Sequence, residues 1–190
     1  MTLSGKFIGS DIRNNALFIY LFEKKSLGLR ILKIEGLQIK DESEYKLPLD
    51  ISKFKSTDIS LIPEGTHIGT AQAGAKVKIV LQGENIAISV DEPFNEYDNL
   101  PKPIRTFVIL IDSETKQTEV NVFPEESKYV FRSIVNDSLL FRTVNTHNEL
   151  KLQVYELKWG SQVLRKIISN DAAAEDLDVV FKEGRVNHFS

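Results

Sequence analysis

Between Lys76 and Asp91, apolar side chains recur at every second position on both sides of the dipeptide Gly83-Glu84. That is the repeat of a β-strand, whose successive side chains leave opposite faces. A glycine at the first position of a two-residue loop suits a type II′ turn, whose twist matches that of the flanking strands. Pairing across it sets Leu81 opposite Ile86, Ile79 opposite Ile88 and Val77 opposite Val90, all on one side, with Lys76 meeting Asp91 at the open end. A slip of one residue would turn the whole set to the wrong face, so the pattern dictates a single register.

A second hairpin follows the same logic. Arg105 to Asp112 runs out, Ser113 to Lys116 form the loop, and Gln117 to Phe123 return. Pairing Asp112 with Gln117 puts Ile111 on Thr118, Ile109 on Val120 and Phe107 on Val122, with these side chains turned inward. Val108 and Leu110 make the outgoing strand apolar on its other face too, the mark of a strand covered on both sides. Glu119 and Asn121 leave the returning strand half-exposed.

Shorter signals extend the pattern. Ala16 to Phe22 is rich in aromatic and β-branched residues, which fit strands, and a helix over 15–25 capped by Asn15 is the competing assignment. Leu29 to Lys40 reads as extended with Gly36 as a bulge, after a turn at Ser26-Leu27-Gly28. Lys128 to Val135, Ser138 to Val144 and Leu150 to Leu157 read as further strands, the first two around Asn136-Asp137. Asp41 to Ala75 is the least regular stretch, broken by Pro48, Pro63, Gly65, Gly69 and Gly74. Within it Asp50 is placed to cap one helical turn over Ile51 to Lys55.

The character changes after Trp159. Ser161 suits the N-cap of a helix in which Val163, Leu164, Ile167 and Ile168 form one stripe, and Asp171 to Phe181 reads as a second short helix stopped by Gly184. The expected fold is mainly β: an antiparallel β-sandwich or a jelly-roll or barrel-like domain over residues 1–158. One or two short C-terminal helices over 159–190 pack on it or project from it. No fixed-period repeat points to a solenoid or propeller.

Charge and composition narrow the function. Apolar residues at 42% and charged residues at 27% argue against disorder. The net charge of −3 is spread evenly, with 24 basic and 27 acidic side chains. That balance gives phosphate-driven nucleic-acid binding little support. The chain has no cysteine, which removes disulfides, zinc–thiolate and iron–sulfur sites and thiol nucleophiles together. The N-terminal residues lack the layout of a signal peptide, and no run approaches the ~20 apolar residues of a membrane span. The expectation is a cytoplasmic protein, or a virion or assembly component made in a cytoplasm, without membrane insertion.

Candidate site residues are few. His67, His147 and His188 have no second ligand at metal spacing, so no metal and no cofactor is expected. The glycines at 65, 69 and 74 do not match a phosphate loop and are followed by a β-hairpin instead of a helix. Asp91 to Asp98 carries four carboxylates and no base, and lacks the glycine of a calcium loop. Its Phe94 and Tyr97 are aromatic anchors of the kind binding surfaces use. Trp159, near Tyr155, could stack on a sugar or base, or fill the core. Phe94, Tyr97, Tyr155 and Trp159 are therefore the binding candidates, and no catalytic residue is named.

The function expected is a non-enzymatic protein-interaction or assembly module that presents loops on a β-scaffold, with a protein partner or self-association. One alternative is a ligand-binding barrel or sandwich for a carbohydrate or small apolar molecule. Another is a hydrolase using carboxylates from separate strands.

Overall fold

The structure, a computed structural model, describes residues 4–66, 74–83, 85–91, 104–125, 130–145, 149–157 and 162–169. Its elements are almost entirely strands, arranged in three sheets of successive chain segments.

The first sheet holds Lys6–Arg13 (β1), Ala16–Glu23 (β2), Gly28–Glu35 (β3) and Gln38–Lys46 (β4), each antiparallel to the next. Asn14 and Asn15 close the first hairpin with φ of 49° and 62°. Two successive positive φ values define a type I′ turn, and asparagine tolerates them better than most residues. Ala16 to Phe22 is thus a strand and not a helix. The Gly36 expectation is corrected in kind: with φ of 60° it opens the β3–β4 turn, and Glu35 faces Gln38 across it. The register irregularity of this hairpin lies instead between Lys33 and Ile34.

The middle of the chain forms the second sheet, in the order Ile59–Ile62 (β5), Val77–Gln82 (β6), Asn85–Asp91 (β7), Ile104–Asp112 (β8) and Thr118–Glu125 (β9). β5 runs parallel to β6, and the other pairs are antiparallel. Both hairpins keep the register that the sequence pattern dictates: Ile79 faces Ile88, Ile109 faces Val120, and Asp91 donates its N–H to the Lys76 carbonyl at 2.8 Å. Gly83 has φ of 60°, as a II′ turn requires of its first loop residue.

Val130–Asn136 (β10), Leu139–Asn145 (β11), Glu149–Glu156 (β12) and Gln162–Ser169 (β13) form the third sheet, again antiparallel. The helix expected from Ser161 is overturned here, because Leu164 pairs with Val154 and Ile168 with Leu150 along β12. A helix of eight residues is marginal by itself. Val163, Ile167 and Ile168 are β-branched, and the open edge of β12 offers backbone partners to a strand. The second helix, expected over 171–181, lies outside the described residues.

The middle sheet is covered on both faces. From one face Val77, Ile79, Leu81, Ile86, Ile88, Val90, Ile109 and Ile111 pack on Tyr20, Phe22, Leu29 and Tyr45 of the first sheet. From the other, Val80, Ala87, Val108 and Phe123 pack on Val135, Leu140 and Leu157 of the third region. This double burial explains why β8 carries Ile109 and Ile111 on one face and Val108 and Leu110 on the other, as strands covered on both faces do.

Asp41 to Thr66, the described part of the irregular stretch, is more ordered than its composition suggests. Asp41 to Lys46 complete β4, and two short 3₁₀ turns at Ile51–Lys53 and Ser56–Asp58 lead into β5. Asp50 does cap the first turn, accepting from the Ser52 N–H at 2.8 Å. Leu47, Ile51 and Phe54 are buried in the core, so this link fills the space where the chain passes from one sheet to the next.

Among the described residues, no helix is long and apolar enough to cross a membrane.

Candidate functional site

Two places in the fold carry polar or apolar groups that packing alone does not account for. One is a buried polar layer between the middle and third sheets; the other is the outer edge strand of the middle sheet.

The buried layer follows from strand alternation. Side chains on the even positions of β6 and β8 and the odd positions of β7 face the third sheet, which brings Lys78, Ser89, Asp91 and Thr106 to one surface. Opposite them, Ser133, Arg142 and Gln153 form one cross-strand row. All seven are buried. Asp91 is the hub. Its carboxylate accepts from the Ser133 N–H at 3.0 Å, the Ser133 hydroxyl at 2.6 Å and the Thr106 hydroxyl at 3.2 Å. Lys78 Nζ lies 3.6 Å from the same carboxylate and donates to the Ala75 carbonyl at 2.5 Å.

Burial pushes the Lys78 amine below its usual value, against the opposing pull of Asp91, and the nearby Arg132 charge acts in the same direction as burial. An amine of lowered basicity beside a hydroxyl has the elements of nucleophilic chemistry. Its setting argues for structure instead. Lys78 is 1% and Asp91 3% exposed, and each contact of the Asp91 carboxylate joins one strand to another. Buried charges survive when paired and hydrogen-bonded, and Lys78 and Asp91 meet that condition. The cluster ties β6, β7, β8 and β10 together.

The edge strand is the opposite case. In β9, Val120 and Val122 lie on the face that packs against the first sheet elsewhere, yet they are 40% and 49% exposed. Their partners Ile109 and Phe107 on β8 belong to the core on that face. The inward position expected for the two valines is corrected accordingly: their face is right, but the first sheet has four strands against five in the middle sheet, and its cover does not extend over β9.

The backbone of β9 can be oriented from one bond. Asp112 donates its N–H to the Gln117 carbonyl at 3.0 Å, which makes this a hydrogen-bonded pair. In an antiparallel ladder such pairs alternate with pairs whose N–H and C=O groups point away from each other. The register of β8 and β9 has no irregularity, so Asn121 bonds to β8 while Val120, Val122 and Pro124 turn their backbone outward. Pro124, lacking an N–H, thus occupies a position where none is needed, as proline in edge strands does.

β4, an edge of the first sheet, is built differently. It carries Lys40, Asp41, Glu42 and Glu44, and it includes the register irregularity opposite Lys33 and Ile34. Charges and bulges are what blunt an edge against further pairing. β9 has a regular register, with two exposed valines on one face and Glu119 on the other.

Of the binding candidates taken from the sequence, Tyr155 is half-buried between the middle and third sheets. Its ring centroid lies 5.1 Å from that of Phe123, and the Arg142 guanidinium lies 5.7 Å from its ring. Phe94, Tyr97 and Trp159 lie outside the described residues, as do His67, His147 and His188. No group of three or more acidic or histidine side chains that could hold a metal occurs among the described residues. The β9 edge escaped the sequence reading, although Pro124 and the run Thr118 to Val122 carried its signal.

No family model, curated protein or solved structure matches the chain significantly.

Proposed function

We propose that this chain is a non-enzymatic interaction or assembly module, a sandwich-type stack of sheets that joins other polypeptide through the free edge of β9. The observation that carries this reading is the pair of exposed valines, Val120 and Val122, on a strand whose outer N–H and C=O groups have no strand partner among the described residues. Exposed backbone donors and acceptors in register are a template for an added strand, and alternate apolar side chains give that addition its energy. The buried Lys78–Asp91 cluster supports the same reading from the other side, since its groups bind the sheets to one another.

The test is retention of native protein partners on immobilised full-length chain, compared between wild type and Val120→Pro. Proline at 120 removes an outward donor and leaves the β8 ladder whole. A partner held by wild type and lost by Val120→Pro is the expected result. Retention that ignores the substitution, or no retention together with a monomeric chain, would overturn the proposal.

A further inference from the structure

We infer that Lys78 and Asp91 condense with one another after folding, joining β6 to β7 by an isopeptide bond between the Lys78 amine and the Asp91 carboxyl. The inference is independent of the docking role of β9. In a chain without cysteine, such a bond supplies the covalent brace that a disulfide gives elsewhere.

Register brings the two groups together. Lys78 faces Ser89 across the β6–β7 ladder, so Asp91 is its diagonal neighbour on the same face. That diagonal is within reach of a long side chain. Lys78 Nζ stands 3.6 Å from Asp91 Oδ2, beside the carboxyl carbon, and both side chains are buried. The Ala75 carbonyl, accepting from Nζ at 2.5 Å, holds the amine there. Burial lowers the basicity of this amine, which favours its neutral, nucleophilic form. The two carboxyl oxygens are held unequally. Oδ1 accepts from the Ser133 hydroxyl at 2.6 Å and the Thr106 hydroxyl at 3.2 Å, while Oδ2 accepts from the Ser133 N–H at 3.0 Å and faces the lysine.

This asymmetry suits a condensation. The Lys78 ammonium passes one proton to Oδ2, leaving a free amine and a carboxylic acid. Nζ then attacks the Asp91 carboxyl carbon: the C–N bond forms and negative charge gathers on Oδ1, where the Ser133 and Thr106 hydroxyls already donate. A second proton moves from Nζ to Oδ2, the C–Oδ2 bond breaks and one water leaves. Ammonium and carboxylate have become amide and water, with no oxidant, reductant or other reactant.

The equilibrium lies with the amide. Partners held in place react as though present at about 10⁵–10⁸ M, far above the concentration of water, so condensation outweighs hydrolysis. The amide is neutral and relieves the desolvation cost of a buried ion pair. Its N–H keeps the Ala75 carbonyl as acceptor, and its oxygen keeps the two hydroxyls as donors. The ion pair is the reactant, so its anchoring bonds and its titration belong to the freshly folded protein.

Intact-mass spectrometry of the full chain is the test. Folded wild type is expected to become lighter than its sequence mass by one water, on incubation at neutral pH over days if not already on purification. Residues 79–91 contain no lysine or arginine, so the bond also shows as lost tryptic cleavage after Lys78 and a peptide closed into a loop between residues 78 and 91. Ser133→Ala is expected to slow the loss of water about a hundredfold, since one donor to the developing oxyanion is gone. Lys78→Met, with unchanged circular dichroism, is expected to keep its sequence mass. A wild type that stays folded and at its sequence mass, with cleavage after Lys78 intact, would overturn the inference. So would a loss of water that proceeds equally in Lys78→Met or in wild type held unfolded in denaturant, because an aspartate that cyclises on its own backbone also sheds water.

Discussion

Ser133 donates both its backbone N–H and its hydroxyl to the Asp91 carboxylate, at 3.0 and 2.6 Å, and so fastens β10 of the third sheet to the last residue of β7 in the middle one. The contact spans 42 residues of sequence and is buried. Removing the carboxylate strands the Lys78 charge and three donors at once. Asp91→Ala is expected to lower unfolding free energy by about 3–5 kcal/mol, the cost of breaking a buried, hydrogen-bonded ion pair. Ser133→Ala, which keeps the backbone donor, is expected to cost about 1–3 kcal/mol. Denaturant titration at neutral pH measures both, and an Asp91→Ala protein as stable as wild type would refute the anchoring role.

Lys78 gives a pH signature of definite sign. Its amine is lowered by burial in the folded protein, while in the unfolded chain it titrates near the ordinary 10.5. Between those two values the unfolded chain binds more protons, so stability rises with pH across that window; below the folded value the penalty for a buried cation is fully present. Denaturation midpoints of wild type and Lys78→Met, followed from neutral pH to 10.5, are expected to shift in favour of wild type as pH rises, whatever their offset at neutrality. A difference independent of pH would contradict this.

The contrast between centre and edge of the middle sheet is measurable. Ile88 is wholly buried on β7, and Ile88→Ala is expected to cost about 2–5 kcal/mol, as deletions in a packed core do. Val122 is half-exposed on β9, and Val122→Ala is expected to stay within about 0.5 kcal/mol in the monomer. Thermal melts at low protein concentration keep association out of the comparison.

Lys116 closes the β8–β9 loop with φ of 57°, in the left-handed region. A side chain there meets the neighbouring carbonyl, and glycine does not. Lys116 is exposed, so no core contact is lost on replacement. Lys116→Gly is expected to stabilise the monomer by about 0.5–1 kcal/mol, visible as a raised Tm; a lowered Tm would show that the loop gains more from the lysine than the backbone loses.

How much of this was legible in the sequence depended on the range of the cause. Pairing of Ile79 with Ile88 and of Ile109 with Val120 could be read because turn chemistry and alternation are local. The helix expected from Ser161 failed because the decisive factor was the open edge of β12, a partner that a helical stripe cannot reveal. Exposure of Val120 and Val122 was hidden for a related reason: alternation gives the face of a residue, not the width of the layer above it. Asp91 drew notice as the start of an acidic stretch, and its partners Ser133 and Thr106, brought together only by sheet stacking, had no mark in the primary structure. Arg13 is similar; its guanidinium donates to the Gly83 carbonyl and the Tyr20 hydroxyl, both at 2.9 Å, and so links two hairpins that are remote along the chain.

Because the middle third supplies the layer on which both ends rest, the order of synthesis matters. The N-terminal meander leaves the ribosome before Ile79, Ile88 and Ile109 exist, so Tyr20, Phe22 and Leu29 wait without their cover. Truncation before β6 would leave that waiting state permanent, and such fragments should precipitate or seek chaperones. Deletion from β10 onward would instead bare Val80, Val108 and the charged Lys78–Asp91 pair to water, giving a soluble but loosened remnant.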